Sequence, residues 1–114
     1  MASIKIEEKS NYKVMFLEGD FVGGEETDEL RNKLMAHGKG DNNFLIVDLT
    51  KVVYLSSASL SVFISSDAYF KRYKGKMVLS NANDYIKKIF DITKLHFAVT
   101  ICEDEEEAIK ALKH

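Results

Sequence analysis

Phe44-Leu45-Ile46-Val47-Asp48-Leu49, then Val52-Val53-Tyr54-Leu55, then Ser56-Ser57-Ala58-Ser59-Leu60-Ser61 is the stretch on which the fold turns. The first six residues are almost continuously apolar and lack the alternation of a strand with one wet face. That is the pattern of a strand buried on both faces, as in a parallel sheet covered by helices. A run of small hydroxyl residues follows. Beyond it Leu60, Phe63, Ile64 and Ala68 recur at helical spacing up to about Tyr73. The stretch therefore reads as strand, serine-rich junction, helix.

Working outward, Ile4 and Ile6 alternate with Ser3, Lys5 and Glu7 as a strand, and Val14 to Leu17 is a second. Gly19, Gly23 and Gly24 break the chain, and a helix is expected from about Glu25 with Leu30 and Leu34 on one face, ending near Gly38 and Gly40 with left-handed glycine caps. Downstream, Gly75 is expected to stop the helix that follows the serines. Lys76 to Ser80 is a strand, Tyr85, Ile86, Ile89 and Phe90 mark a helix, and Phe97 to Ile101 is a strand. The acidic run Glu103-Asp104-Glu105-Glu106-Glu107 precedes Ala108, Ile109 and Leu112 and suits the first turn of a last helix, where acids complement the dipole. The order is β-β-α-β-α-β-α-β-α. This is an α/β class with a mixed, mostly parallel sheet and about four helices.

The 114 residues make one ordinary domain, so 1–114 is read as a single unit. Hydrophobic residues at 46% exclude a disordered chain. One cysteine excludes an internal disulfide or a multi-cysteine zinc site and suits a reducing compartment. No apolar run reaches the roughly 20 residues of a membrane helix, and the alternating start Met1–Lys9 is not a secretory signal. A net charge of −2 gives no overall basicity for nucleic acid. The expectation is a soluble cytoplasmic protein.

Several residues invite a chemical reading. His37, His96 and Cys102 lack zinc-site spacing; His37 is read as a cation at a helix end and Cys102 as a small core residue. No metal and no cofactor is expected. Gly19 to Gly24 lacks both the dinucleotide and the Walker spacing. Lys71, Arg72, Lys74 and Lys76, interleaved with Tyr69, Phe70 and Tyr73, are read as the wet face and end of a helix whose aromatic face is buried. Ser56, Ser57, Ser59 and Ser61 carry no nucleophile-elbow motif. One serine suffices to cap a helix, so four within six residues leave two uses open: capping, and a phosphoryl group placed at the free N–H groups of a helix start. No acid–base pair at recognisable spacing supports catalysis, so a nucleotide-binding protein or enzyme ranks below a binding module.

At these residues the chain resembles the STAS family, named for sulfate transporters and anti-sigma factor antagonists. The family's apolar strand ends Asp-Leu-Ser and leads to Asp-Ser-Ser-Gly-Leu-Gly; here Asp48-Leu49-Thr50 leads to Ser56-Ser57-Ala58-Ser59-Leu60-Ser61. Leu17 to Thr27 resembles the family's second strand and glycine turn, Lys76 to Asn81 its later strand, Ile89 to Leu95 its third helix, and Asp104 to Ala108 its final helix start. The resemblance implies a non-enzymatic anti-sigma factor antagonist working by bacterial partner switching. Unphosphorylated, it would bind an anti-sigma factor that is also a serine kinase; a PP2C-type phosphatase would reset it. The phosphoacceptor falls on Ser57, with Ser56 and Ser59 as second candidates, and the partner-binding residues would be Asp20, Val22, Gly23, Gly24, Ser56, Ser57, Ala58, Ser59 and Ser61. This sequence departs from the motif: Ser56 replaces an aspartate, Ala58 a serine, Ser59 and Ser61 glycines, and Val22 stands near a family aspartate. The departures at Ser56 and Ser59 favour the alternative, a constitutive STAS scaffold or interaction module without phosphorylation control.

Overall fold

The structure is a computed structural model describing residues 2–113; Met1 and His114, at the ends of the stretches read above, lie outside the described residues. The elements run β1 (Ser3–Glu8), β2 (Lys13–Phe21), α1 (Glu25–Gly38), β3 (Phe44–Leu55), α2 (Ser57–Arg72), β4 (Lys76–Ser80), α3 (Asp84–Thr93), a 3-10 turn (Leu95–Phe97), β5 (Thr100–Cys102) and α4 (Glu105–Leu112). The sheet order is β1-β2-β3-β4-β5, with β1 antiparallel to β2 and the other pairs parallel.

This order has a geometric consequence. Each crossover advances one strand in the same direction, so right-handed connections place α1, α2 and α3 on one face of the sheet. The core agrees. Met15, Leu17, Leu45, Val47, Leu49, Met77 and Leu79 share one cluster with Leu30 and Leu34 of α1, Leu60, Phe63 and Phe70 of α2, and Ile86 and Phe90 of α3. The alternate strand residues Val14, Ile46, Val78 and Cys102 turn to the other face and meet Ala108 of α4, with Ile109 and Leu112 packed alongside. Burial on both faces explains why Leu45, Ile46 and Val47 are all fully buried and why the sequence there does not alternate. Cys102 is a small core residue, as expected.

Several elements correct the sequence reading. The second strand does not stop at Leu17 but runs to Phe21, carrying Gly19 inside it at φ 96° beside a register shift. Leu49 does not end β3, which continues unbroken to Leu55. The expected strand Phe97–Ile101 is replaced by the 3-10 turn and three-residue β5, with Phe97 81% exposed. Left-handed backbone falls on Asn42 and Lys74 rather than on Gly38, Gly40 or Gly75. Gly38 and Gly75 serve close approach instead: a Cβ on Gly75 would stand 2.2 Å from the Asn43 carbonyl oxygen, and one on Gly38 3.0 Å from the rings of Tyr69 and Phe70.

On α2 the buried face runs through Leu60, Val62, Phe63, Ser66, Asp67 and Phe70, whereas Ile64 and Ala68 face outward. Of the aromatics among the basic residues only Phe70 is buried; the rings of Tyr69 and Tyr73 meet at a tilt of 55°, 5.1 Å between centroids. Lys71 pairs with Asp67 at 2.9 Å, and Lys76 donates to the Ala111 carbonyl at 2.8 Å. His37 does stand in the last turn of α1, as expected, but its surroundings oppose its charging. It accepts from Lys13, and burial together with that neighbour pushes its pKa down.

Candidate functional site

β2 and β3 end side by side, with Phe21 opposite Leu55. The chain leaves β3 at Ser56, whose amide donates to the Phe21 carbonyl at 2.9 Å. Ser56 is the N-cap of α2: its Oγ accepts from the Ser59 amide at 3.2 Å. Ser59 closes the junction from inside, its Oγ donating to the Ser56 carbonyl at 2.7 Å and reaching the Phe21 carbonyl at 3.3 Å. Ser59 is fully buried, so in this fold it offers neither an acceptor hydroxyl nor a partner-facing surface, and it leaves the set of candidates. Ser57, Ala58 and Ser61 are exposed, and the Ser57 hydroxyl enters none of the side-chain hydrogen bonds among the described residues.

The glycine turn lies against this helix start. The Val22, Gly23 and Gly24 amides converge on one oxygen of Glu26 at 2.9, 3.1 and 3.1 Å. The Thr27 hydroxyl donates to the same oxygen at 2.5 Å and accepts from the Gly23 amide at 3.0 Å. These bonds, that of Thr27 foremost, hold the Glu26 carboxyl near a pKa of about 2, below its ordinary 4.5. The turn's amides are thus filled by the chain's own carboxylate rather than open to a phosphate. Gly23 has φ 97°, and a Cβ there would stand 3.4 Å from the Ala58 Cβ and 3.8 Å from Ser56 Oγ. Val22, Gly23, Gly24, Ser56, Ser57 and Ala58 therefore form one surface. Asp20 stands beside it on β2 opposite Tyr54, and Ser61 lies one helical turn along α2.

On the other side of Ser57 lies a groove that sequence reading missed. It encloses about 320 Å³ and is lined by Tyr54, Leu55, Leu60, Tyr85, Ile89, Ile92 and Thr93 as well as Ser57. Val22, Val53, Tyr54, Tyr85 and Ile92, on or beside this end of the molecule, are large apolar residues left in water, Ile92 at 79% exposure. The signal was present on α3. Ile86 and Phe90 supply its core stripe with Ile89 packed at its edge, so Tyr85 and Ile92 are apolar residues left over on the outer side of the helix.

The electrostatics single out the same point. α1, α3 and α4 each carry acids in the first turn, whereas α2 carries none. The positive end of the α2 dipole is uncompensated where Ser57 stands. No group of three His, Cys, Asp or Glu side chains placed to hold a metal occurs among the described residues, and no helix among them is long and apolar enough to cross a membrane.

The comparisons with known proteins converge. The STAS domain model matches residues 3–108. The anti-sigma-B factor antagonist of Listeria monocytogenes is 26% identical over 106 residues, covering 92% of each chain. Among solved structures, an anti-sigma factor antagonist from Mycobacterium paratuberculosis superposes with TM-score 0.81 at 15% identity, covering 100% of this chain and 96% of that one. The Bacillus cell fate determinant SpoIIAA in its phosphorylated form gives TM-score 0.69 at 19% identity, covering 96% and 98%. With the family model spanning nearly every described element, from β1 into α4, this chain belongs to the STAS domain family.

Proposed function

We propose that this chain is an anti-sigma factor antagonist that binds an anti-sigma factor with serine-kinase activity and is released when Ser57 is phosphorylated, a PP2C-type phosphatase restoring the binding form in the cytoplasm. One observation carries the reading. Of the three candidate hydroxyls, Ser56 and Ser59 are engaged in holding the start of α2, whereas Ser57 is exposed, has no side-chain hydrogen bond among the described residues and sits between the glycine turn and the apolar groove. The relatives named above as antagonists of anti-sigma factors support the partner class.

The physics of release is local. A phosphoryl group adds about −1.5 to −2 charges to a chain of formal charge −2. It would be held by the uncompensated N-terminus of α2, at the edge of a surface whose apolar residues must shed water to bind a partner. A coupling of about 1–3 kcal/mol shifts affinity roughly 5- to 150-fold without refolding.

The test has two arms. Mass spectrometry of the protein from its native cell locates phosphate, expected on Ser57. Binding to the anti-sigma factor kinase of that cell is then compared for S57A, expected to bind like the parent, and S57D, expected to bind weakly. Equal affinity of the two variants rejects the switch. Since Ser56 stands where the family has an aspartate, absence of phosphate with retained binding would assign the chain as a constitutive scaffold.

A further inference from the structure

The end of α1 remote from the glycine turn holds an unusual pair. Fourteen helical residues place it about 20 Å from the glycine turn, so it is independent of the reading above. Lys13, the first residue of β2, is only 5% exposed, and its Nζ lies 2.8 Å from Nδ1 of His37 on α1. Lys13 forms no ion pair among the described residues. While Lys13 is charged it can only donate, so Nδ1 offers its lone pair and the ring proton sits on Nε2; burial lowers the Lys13 pKa as well. The groups facing the imidazole agree: beyond burial, Lys13 from β2 and Lys33 from α1 oppose its charging, and Glu8 of β1, opposite Lys13 in the register, favours it. The next residue, Gly38, packs so closely on Tyr69 and Phe70 of α2 that the last turn of α1 has little slack.

We propose that the Lys13–His37 contact is an acid-released latch fixing the last turn of α1 to β2. A proton taken from solvent onto Nδ1 converts the acceptor into a donor. Two cations and two donors then face each other at hydrogen-bond distance, the contact opens, and the turn carrying Gly38 loosens against α2. The sign follows from linkage. The folded His37 has a pKa below its ordinary 6.5, so the unfolded chain takes the proton first, and stability falls as pH drops below 6.5 toward the folded value.

The experiment is an NMR titration of the His37 ring from pH 8 to 5, with amide hydrogen-exchange protection factors for the last turn of α1, in the parent, K13M and H37Q. The expected result is that parental His37 titrates below 6.5 and protection of that turn falls about tenfold as it charges. In K13M the His37 pKa moves upward toward its ordinary value and the loss of protection with acid shrinks; in H37Q protection stays level with pH. Identical His37 titration in parent and K13M, or a pH-dependent loss of protection that persists in H37Q, overturns the latch. Should K13M not fold, H37Q decides alone.

Discussion

The Ser56 amide donates to the Phe21 carbonyl at 2.9 Å, and this bond joins the two halves of the candidate site. It fastens the exit of β3 to the exit of β2. The glycine turn after Phe21 and the helix start after Ser56 therefore present one surface. Ser59 reinforces the bond from within through the same Phe21 carbonyl.

The three neighbouring serines are expected to separate in a urea denaturation series. S56A removes the N-cap acceptor and should cost about 1 kcal/mol. S59A removes a buried hydroxyl that donates to the Ser56 carbonyl and should cost about as much, ~1 kcal/mol. S57A removes an exposed hydroxyl and should stay within about 0.5 kcal/mol of the parent. A cost for S57A matching the other two would show that its hydroxyl has a structural role.

The groove beside Ser57 is expected to affect binding without affecting folding. Ile92 is 79% exposed, so I92D should leave the denaturation midpoint nearly unchanged, within about 0.5 kcal/mol. Placed in an apolar docking surface, the same carboxylate should weaken capture of the anti-sigma factor at least about tenfold by surface plasmon resonance. Unchanged affinity would remove the groove from the partner surface.

Acid should loosen the glycine turn through Glu26. Its folded pKa of about 2 lies below the ordinary 4.5, so its contribution to stability is complete above 4.5 and is lost as pH falls from there toward 2. E26Q should flatten the thermal-midpoint curve over that interval, measured by circular dichroism. A parental curve with the same slope as E26Q would refute the assignment. The variants keep the two effects apart, since E26Q removes the Glu26 contribution and H37Q that of His37.

Gly75 and Asn43 should be the most sensitive pair away from the site. A Cβ on Gly75 would overlap the Asn43 carbonyl and side chain, so G75A is expected to cost about 3 kcal/mol. Asn43 Nδ2 donates to the carbonyls of Gly38 and Tyr73, both at 2.9 Å, and N43A should cost about 2 kcal/mol by leaving them unpaired. Chemical denaturation of both variants checks the figures.

How much was legible depended on the range of the interaction involved. The almost continuously apolar run Phe44–Leu49 announced a strand covered on both faces, and the acidic run before Ala108 announced a helix start that Asp104 indeed caps, its side chain accepting from the Glu107 amide at 2.9 Å. Ile64 and Ala68 were misplaced because helical spacing alone cannot say which of two adjacent stripes meets the sheet. The short β5 was overextended because Phe97 and Ala98 are apolar yet belong to a turn.

The sequence by itself determined the element order, the parallel character of the sheet and the location of the serine-rich junction, since these rest on periodicity and on local backbone chemistry. Only the tertiary structure decided which serine is free. Ser56, Ser57 and Ser59 are chemically alike in the chain; Ser56 is set apart by capping the Ser59 amide, and Ser59 also by a carbonyl from elsewhere in the fold within hydrogen-bond reach. For Ser59 that partner is Phe21, thirty-eight residues away in sequence. The apolar groove and the Lys13–His37 contact have the same origin: each is made by residues distant along the chain that meet only because every crossover in this sheet advances in one direction.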